Sequence, residues 1–288
     1  MESRIFDTVR DCLIAGKPVA LATVIGVQSA SEQRSEGHPT SADDNATTGV
    51  PAVGSTMLVT PGAESIGTLG NSDLDRVVSR DALGALDAGQ DRLRSYGPQG
   101  QNQLDTLTVF IESFAPPPHM IIFGATDFAS SLARIAKVLG YYVTVCDARE
   151  VFATRVRFPE ADEVIVSWPH RYLEERGGSC GERDAICVLS HDEKFDVPAI
   201  VAALHTSAGY IGVMGSRRTI AERLAQLRGE GVHEADIQRL MAPIGLDIGA
   251  RTPDETAIAI IGEIIARGTQ SPAPSLRDQL GPIHRRTR

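Results

Sequence analysis

The stretch that most constrains this chain is residues 119–149. It opens with a short apolar run, Met120-Ile121-Ile122-Phe123, passes through Gly124-Ala125-Thr126-Asp127-Phe128-Ala129, and keeps a helical pattern as far as Gly140. A second apolar run, residues 141–146, stops at Asp147. Apolar run, glycine turn, helix, apolar run and terminal acid make up a βαβ unit, and an acid closing the second strand is where a dinucleotide's ribose hydroxyls are usually held. The pattern predicts the nucleotide end of a Rossmann-like sheet.

The glycine fingerprint of that unit is incomplete. In G-x-G-x-x-G/A the first glycine makes the tight turn, the second lets backbone touch a pyrophosphate, and the third position keeps helix and strand close. Gly124 fits the first and Ala129 the third, while Thr126 places a β-branched side chain at the second. Asp147 follows Gly124 by 23 residues, near the usual spacing, and Arg149 is placed to meet a phosphate instead. Thr126 or Asp127 could equally serve only as a helix cap.

Downstream, residues 164–167, 185–189 and 210–214 read as further strands, with helices over 196–204 and 216–228. Thr252-Pro253-Asp254-Glu255 is a capping box with Pro at the first helical position, starting a helix that Gly268 ends. Five buried strands with helical crossovers imply a doubly wound parallel sheet, here over residues 119–268, with 269–288 as a tail. Ala115-Pro116-Pro117-Pro118 is the expected linker, since consecutive prolines continue neither helix nor ladder.

Residues 1–114 read as a smaller α+β domain. Ile5, Val9, Cys12 and Leu13 share a helical face, with Ser3 as its cap and Gly16 as its end. Strands are expected over 18–25, 56–60 and 104–114, and a helix over 72–88 with Leu74, Val77, Val78 and Leu86 on one face. Residues 27–53 are rich in Ser, Thr, Ala, Asp, Gly and Pro without periodicity, and read as a long mobile loop.

Composition narrows the function classes. The 288 residues suffice for two domains, and a formal net charge of -9 argues against a nucleic-acid surface, which needs clustered Lys and Arg. No apolar stretch reaches the length of a membrane span, and Met1-Glu2-Ser3-Arg4 lacks a signal-peptide layout, so a cytoplasmic location is expected. Cys12, Cys146, Cys180 and Cys187 form no zinc-finger spacing; Cys146 and Cys187 lie in strand patterns, and Cys180 alone reads as exposed.

With a strand order of 3-2-1-4-5, the Gly124 turn faces the loop Ser190-His191-Asp192-Glu193-Lys194-Phe195-Asp196, at the switch point where such sheets bind ligands. Gly215-Ser216-Arg217-Arg218 opens on the same edge, joining a strand end to a helix N-terminus, where free N–H groups and forked arginines suit an anion. The alternative is a Ser cap and two solvated arginines. His191 and Asp192 could act as an acid–base pair or touch a ligand, but one His with scattered carboxylates defines no metal site. Asp196 reads most simply as a helix cap. The apolar run 241–250 either packs or binds.

These residues resemble the XdhC/CoxI accessory proteins of molybdenum hydroxylases such as xanthine dehydrogenase and carbon monoxide dehydrogenase. The resemblance rests on Val143-Thr144-Val145 with Asp147-Ala148-Arg149, Arg157-Phe158-Pro159, Ser190-His191-Asp192 with Asp196, the block from Tyr210 to Arg218, and the block from Pro243 through Ala250 to Ala257. It implies a C-terminal Rossmann domain that holds the molybdenum cofactor, as molybdopterin or its cytidine dinucleotide. It also implies help from a cysteine desulfurase in sulfurating the cofactor and delivery to the large subunit of a hydroxylase, and it leaves room for a homodimer. The implied ligand contacts are Gly124, Thr126, Asp127, Asp147, Arg149, His191, Asp192 and Gly215-Ser216-Arg217-Arg218. The chain departs from the family at Leu69-Gly70-Asn71-Ser72-Asp73-Leu74-Asp75, where a glycine-rich stretch with Cys and Glu is usual. The competing reading is an NAD(P)-dependent oxidoreductase, for which His191 is the one candidate proton donor; the chaperone without catalytic residues is favoured.

Overall fold

Before the prolines, strands that alternate in polarity build an antiparallel sheet; after them, strands apolar on both sides build a parallel one. The computed structural model describes residues 2–27, 51–97, 107–190 and 192–280, and the chain divides into Met1–Pro116 and Pro117–Arg288.

The first unit contains α1 (Glu2–Ile14), β1 (Val19–Val27), β2 (Thr56–Val59), β3 (Ile66–Gly67), α2 (Ser72–Ala88), β4 (Arg92–Tyr96) and β5 (Leu107–Phe114), with strand order β3-β2-β1-β5-β4. Side chains alternate across a strand, so Ala20, Ala22 and Val24 meet Leu74, Val78, Ala82 and Leu86 of α2 on one face. Val19 and Leu58 meet Ile5 of α1 in a smaller cluster. Two expectations for α1 are corrected. The helix begins at Glu2, so Ser3 lies inside it rather than capping it, and Leu13 is 52% exposed because the small cluster needs only the Ile5, Val9 and Cys12 side of the helix. The short strands β3 and β4 were not legible, being two residues long and charged in alternate positions respectively. Most of the expected 27–53 loop, residues 28–50, lies outside the described residues.

The second unit contains β6 (His119–Phe123), α3 (Asp127–Val138), β7 (Tyr142–Asp147), β8 (Glu163–Val166), α4 (Pro169–Arg176), β9 (Ala185–Val188), α5 (Glu193–Leu204), β10 (Tyr210–Val213), α6 (Arg217–Gly229), α7 (Glu234–Ile237), β11 (Leu240–Met241) and α8 (Pro253–Gly268). Its strand order is β11-β10-β9-β6-β7-β8, and every pairing is parallel. The doubly wound sheet is therefore as expected, with a sixth strand added at its edge. Met120, Ile122, Val143 and Val145 face α3 and α8, whereas Ile121, Phe123, Ile186 and Val188 face α4, α5 and α6. The capping box is present on α8: Thr252 accepts from the Glu255 N–H, and Glu255 reaches back to the Thr252 N–H.

The apolar segment after β11 packs in part, through Ile244 and Leu246, while Ile248 is 54% exposed. A Cβ on Gly212 of β10 would fall 2.4 Å from Ile244, so the glycine admits that side chain onto the sheet. Glu263 of α8 accepts from the Tyr210 hydroxyl at 2.6 Å and from the Gly245 N–H at 2.9 Å, anchoring the segment to the helix.

Candidate functional site

The carboxyl ends of β6, β7, β8 and β9 converge on a crevice of about 270 Å³ lined by Gly124, Thr126, Asp147, Ala148, Arg149, Pro169, Ser190, Asp192 and Phe195. It opens between β6 and β9, where the chain reverses its direction of winding, the position at which open α/β sheets take ligands.

Each lining residue has a local cause. Gly124 adopts φ +104°, and a Cβ there would stand 2.8 Å from the Ser190 nitrogen, so the glycine lets two strand ends pass closely. Thr126 caps α3, its hydroxyl accepting from the Ala129 N–H at 3.2 Å. The hydroxyl thus occupies a donor that an incoming phosphate would otherwise meet. Asp192 caps α5 by accepting from the Lys194 N–H at 3.1 Å.

Asp147 is buried and bound on all sides. Its carboxylate accepts from the Ala125 N–H at 2.7 Å, the Arg149 N–H at 2.9 Å, and Nε and Nη2 of Arg149 at 3.0 and 2.8 Å. Burial pushes its pKa upward, but the hydrogen bonds from the Arg149 side chain and the two N–H groups outweigh this and hold it below the ordinary value. Asp147 in turn keeps Arg149 firmly protonated. The Arg149 side chain is 45% exposed and lies over the Phe152 ring at 4.6 Å. A guanidinium has five N–H donors, so a fork clamped by one edge still offers donors to the crevice.

Behind the crevice floor the Ser190 hydroxyl donates to Asp196, which forms a fully buried ion pair with Arg223; Arg223 also donates to the Met214 carbonyl at 2.6 Å. Asp196 is therefore not the cap of α5, since the helix starts three residues earlier than expected and turns this carboxylate inward.

Other expected contacts stand apart from the lining. Asp127 is exposed and pairs with Arg157 at 3.4 Å. Ser216 caps α6 by accepting from the Thr219 N–H at 3.1 Å, and Arg218 is exposed with Glu222 at 3.9 Å. Gly215, Ser216, Arg217 and Arg218 follow β10, the neighbour of β9, on the same edge of the sheet but outside the described lining. His191 lies outside the described residues. Ala148, Pro169, Ser190 and Phe195 line the crevice without having been among the expected contacts: α4 was not foreseen, and Phe195 was an aromatic in an otherwise polar loop, the one signal that pointed to it.

Cys180 is buried, and burial, then Asp184, pushes its thiol up to about 11, correcting the expectation of exposure. Cys146 and Cys187 are buried as expected. In the first unit the turn at Leu69 to Asp75 satisfies itself: Asn71 caps α2 at 2.8 Å, and Asp75 accepts from Thr68 Oγ1 at 2.6 Å and the Leu69 N–H at 2.7 Å. Among the described residues no three His, Cys, Asp or Glu side chains group to hold a metal.

The model of the XdhC Rossmann domain matches residues 120–264, half of the chain, and that of the XdhC and CoxI family matches residues 47–97. This chain belongs to the XdhC and CoxI family. Among relatives, the uncharacterized protein YqeB of Escherichia coli K12 is 29% identical over 227 residues, 75% of this chain and 41% of its own length. A probable xanthine dehydrogenase subunit of Bacillus subtilis is 34% identical over 56% of this chain and 46% of its own. The molybdenum cofactor insertion chaperone PaoD of Escherichia coli K12 is 24% identical over 55% of this chain and 42% of its own. The chain thus spans less than half the length of these relatives. Among its described residues no helix is long and apolar enough to cross a membrane.

Proposed function

We propose that this XdhC/CoxI protein is an accessory protein of a molybdenum hydroxylase, and that the crevice after β6, β7, β8 and β9 holds the phosphate-bearing part of the molybdenum cofactor. The observation that carries this reading is Arg149, fixed by Asp147 yet half exposed to the crevice, in a chain related to a molybdenum cofactor insertion chaperone. A positioned guanidinium suits phosphate, and its ordering cost is already met by the clamp.

The residues present fit one part of the cofactor. Arg149 would take a phosphate, while Ser190 and Asp192 supply polar atoms beside it. No cysteine lines the crevice among the described residues, so sulfur or molybdenum would be carried by the cofactor's own ligands rather than by a protein thiol. When bound to its enzyme, the cofactor supplies the redox chemistry of hydroxylation; this chain binds, orients and shields it. A cysteine desulfurase is then a docked supplier of sulfur, and the large subunit of the hydroxylase is the recipient.

The dehydrogenase reading is the weaker one on these residues. Ribose hydroxyls need a free carboxylate edge, and Asp147 already accepts four hydrogen bonds. Pyrophosphate needs bare backbone where Thr126 instead folds its hydroxyl over the helix.

Coexpression with a molybdenum hydroxylase in a molybdate-fed host tests the proposal. Parent protein is expected to raise the active, molybdenum-loaded fraction of the enzyme, Arg149→Gln to lose most of that effect, and copurified ligands to include a pterin by mass spectrometry. Steady NAD(P)H turnover with alcohols, hydroxy acids or aldehydes, together with no effect on the hydroxylase, would overturn it.

A further inference from the structure

Two aromatic side chains that follow different strands meet beside this crevice, Phe195 lining it and Trp168 packing on Phe195, and neither belongs to a hydrophobic core cluster. Phe195, in the first turn of α5, lines the crevice, and its ring centroid lies 4.7 Å from that of Trp168, the residue before α4, at an interplanar angle of 42°. Further along α5, Val197, Ala199, Ile200 and Ala203 pack into the core beneath the sheet, but Phe195 and Trp168 belong to none of the core clusters, and Trp168 is 41% exposed. Pro169 extends the same apolar wall, while Arg149 stands within the same 270 Å³ space.

An apolar wall with a clamped cation in one small crevice defines a ligand of two parts. Leaving aromatic faces against water is unfavourable, and a flat ring laid on them removes that surface while making stacking contacts. Sites for small molecules typically span about 300 to 1,000 Å³, so a space near the lower bound suits one ring and its phosphate rather than a whole dinucleotide. We infer that Phe195, backed by Trp168, is the platform on which a planar heteroaromatic ring stacks while Arg149 takes the attached phosphate. The inference rests on the crevice being the ligand site proposed above, and it deepens that reading by naming the residue that selects a ring-bearing ligand over a bare anion. A pterin and a nucleobase share this chemistry.

Trp168 is the single tryptophan of the chain, so its emission reports on this wall alone. The experiment titrates the full chain with cytidine diphosphate, adenosine diphosphate and a pterin monophosphate, and with inorganic pyrophosphate and phosphate as ring-free probes, by calorimetry and tryptophan fluorescence. The ring-bearing probes are expected to bind at least tenfold tighter than the ring-free ones and to change Trp168 emission, which pyrophosphate leaves unchanged. Phe195→Leu keeps bulk but removes the aromatic face; it is expected to lower ring-bearing affinity about tenfold, as loss of one stacked ring does, and to leave ring-free binding unaltered. Which ring binds tightest distinguishes a pterin ligand from a nucleotide. An unchanged ratio of ring-bearing to ring-free affinity in Phe195→Leu, or ring binding with silent Trp168, overturns the platform, as does an absence of all binding, which removes the crevice site with it. Phe195-dependent ring binding without any effect on hydroxylase activity keeps the platform and sinks the accessory role.

Discussion

The four hydrogen bonds accepted by the Asp147 carboxylate join the Gly124 turn to Arg149, so this residue positions a cation rather than offering its own oxygens. Asp147→Ala is expected to cost about 2 kcal/mol in urea unfolding, the scale of a lost charge-assisted contact partly screened by the exposure of Arg149. The sign of its pH dependence follows from its lowered pKa. Ionised Asp147 stabilises the fold above the ordinary carboxyl value of 3.8, and that contribution is lost as pH falls through the lower folded-state value. The stability gap between parent and Asp147→Ala should therefore be constant near neutrality and close below about pH 4; a gap independent of pH would show that the charge is not what matters. The Asp196–Arg223 pair, 0% and 2% exposed, is a sharper case. Arg223→Met alone removes the cation that faces the buried Asp196 carboxylate and is expected to cost about 3 to 5 kcal/mol, while Asp196→Leu with Arg223→Met should recover much of it. At the thiols, Cys180 and Cys146, pushed by burial to about 11 and about 12, should resist alkylation at neutral pH in the folded protein and react on unfolding, as followed by intact mass.

At the scale of elements, the crevice exists because β6 and β9 are neighbours and their following turns diverge. Gly124→Ala is expected to destabilise the second unit by more than about 2 kcal/mol, because its Cβ meets backbone at 2.8 Å and its φ is +104°; melting that matches the parent would mean the turn relaxes freely. The N-terminus of α6 lies one strand beyond the crevice, with Arg217 and Arg218 exposed on its first turn. We propose that these arginines meet only a ligand long enough to run along the sheet edge. Changing both to Gln should then weaken a pyrophosphate-linked dinucleotide about tenfold while leaving a mononucleotide unchanged. Equal weakening of both ligands would bring the arginines into the crevice itself, and no weakening of either would leave them solvated.

At the scale of the whole molecule, each unit has its own buried apolar clusters, and the second carries all the crevice residues. A fragment of residues 117–288 is expected to unfold cooperatively and to bind the ring-bearing probes with parent affinity. Loss of binding in a folded fragment would give the first unit a part in the site. In the first unit the turn at Leu69 to Asp75 is held by its own side chains, Asn71 accepting from the Asp73 N–H and Asp75 from Thr68 Oγ1 and the Leu69 N–H.

Local pattern alone determined the parallel sheet, the helices α2, α3, α6 and α8, the capping box at Thr252 and the strand-end position of Gly124 and Asp147, because hydrophobic period, caps and glycine turns act within a few residues of chain. What those side chains touch was not legible in that pattern. Asp147 takes Arg149 through the short turn after β7 rather than standing open, whereas Asp196 turns inward to Arg223 and Phe195 finds Trp168, since these two depend on which strand ends the sheet order brings together. Such contacts between residues far apart in the chain follow from packing geometry, which periodicity does not encode, and only the tertiary structure decided that the crevice has a clamped cation on one part of its wall and an aromatic face on another.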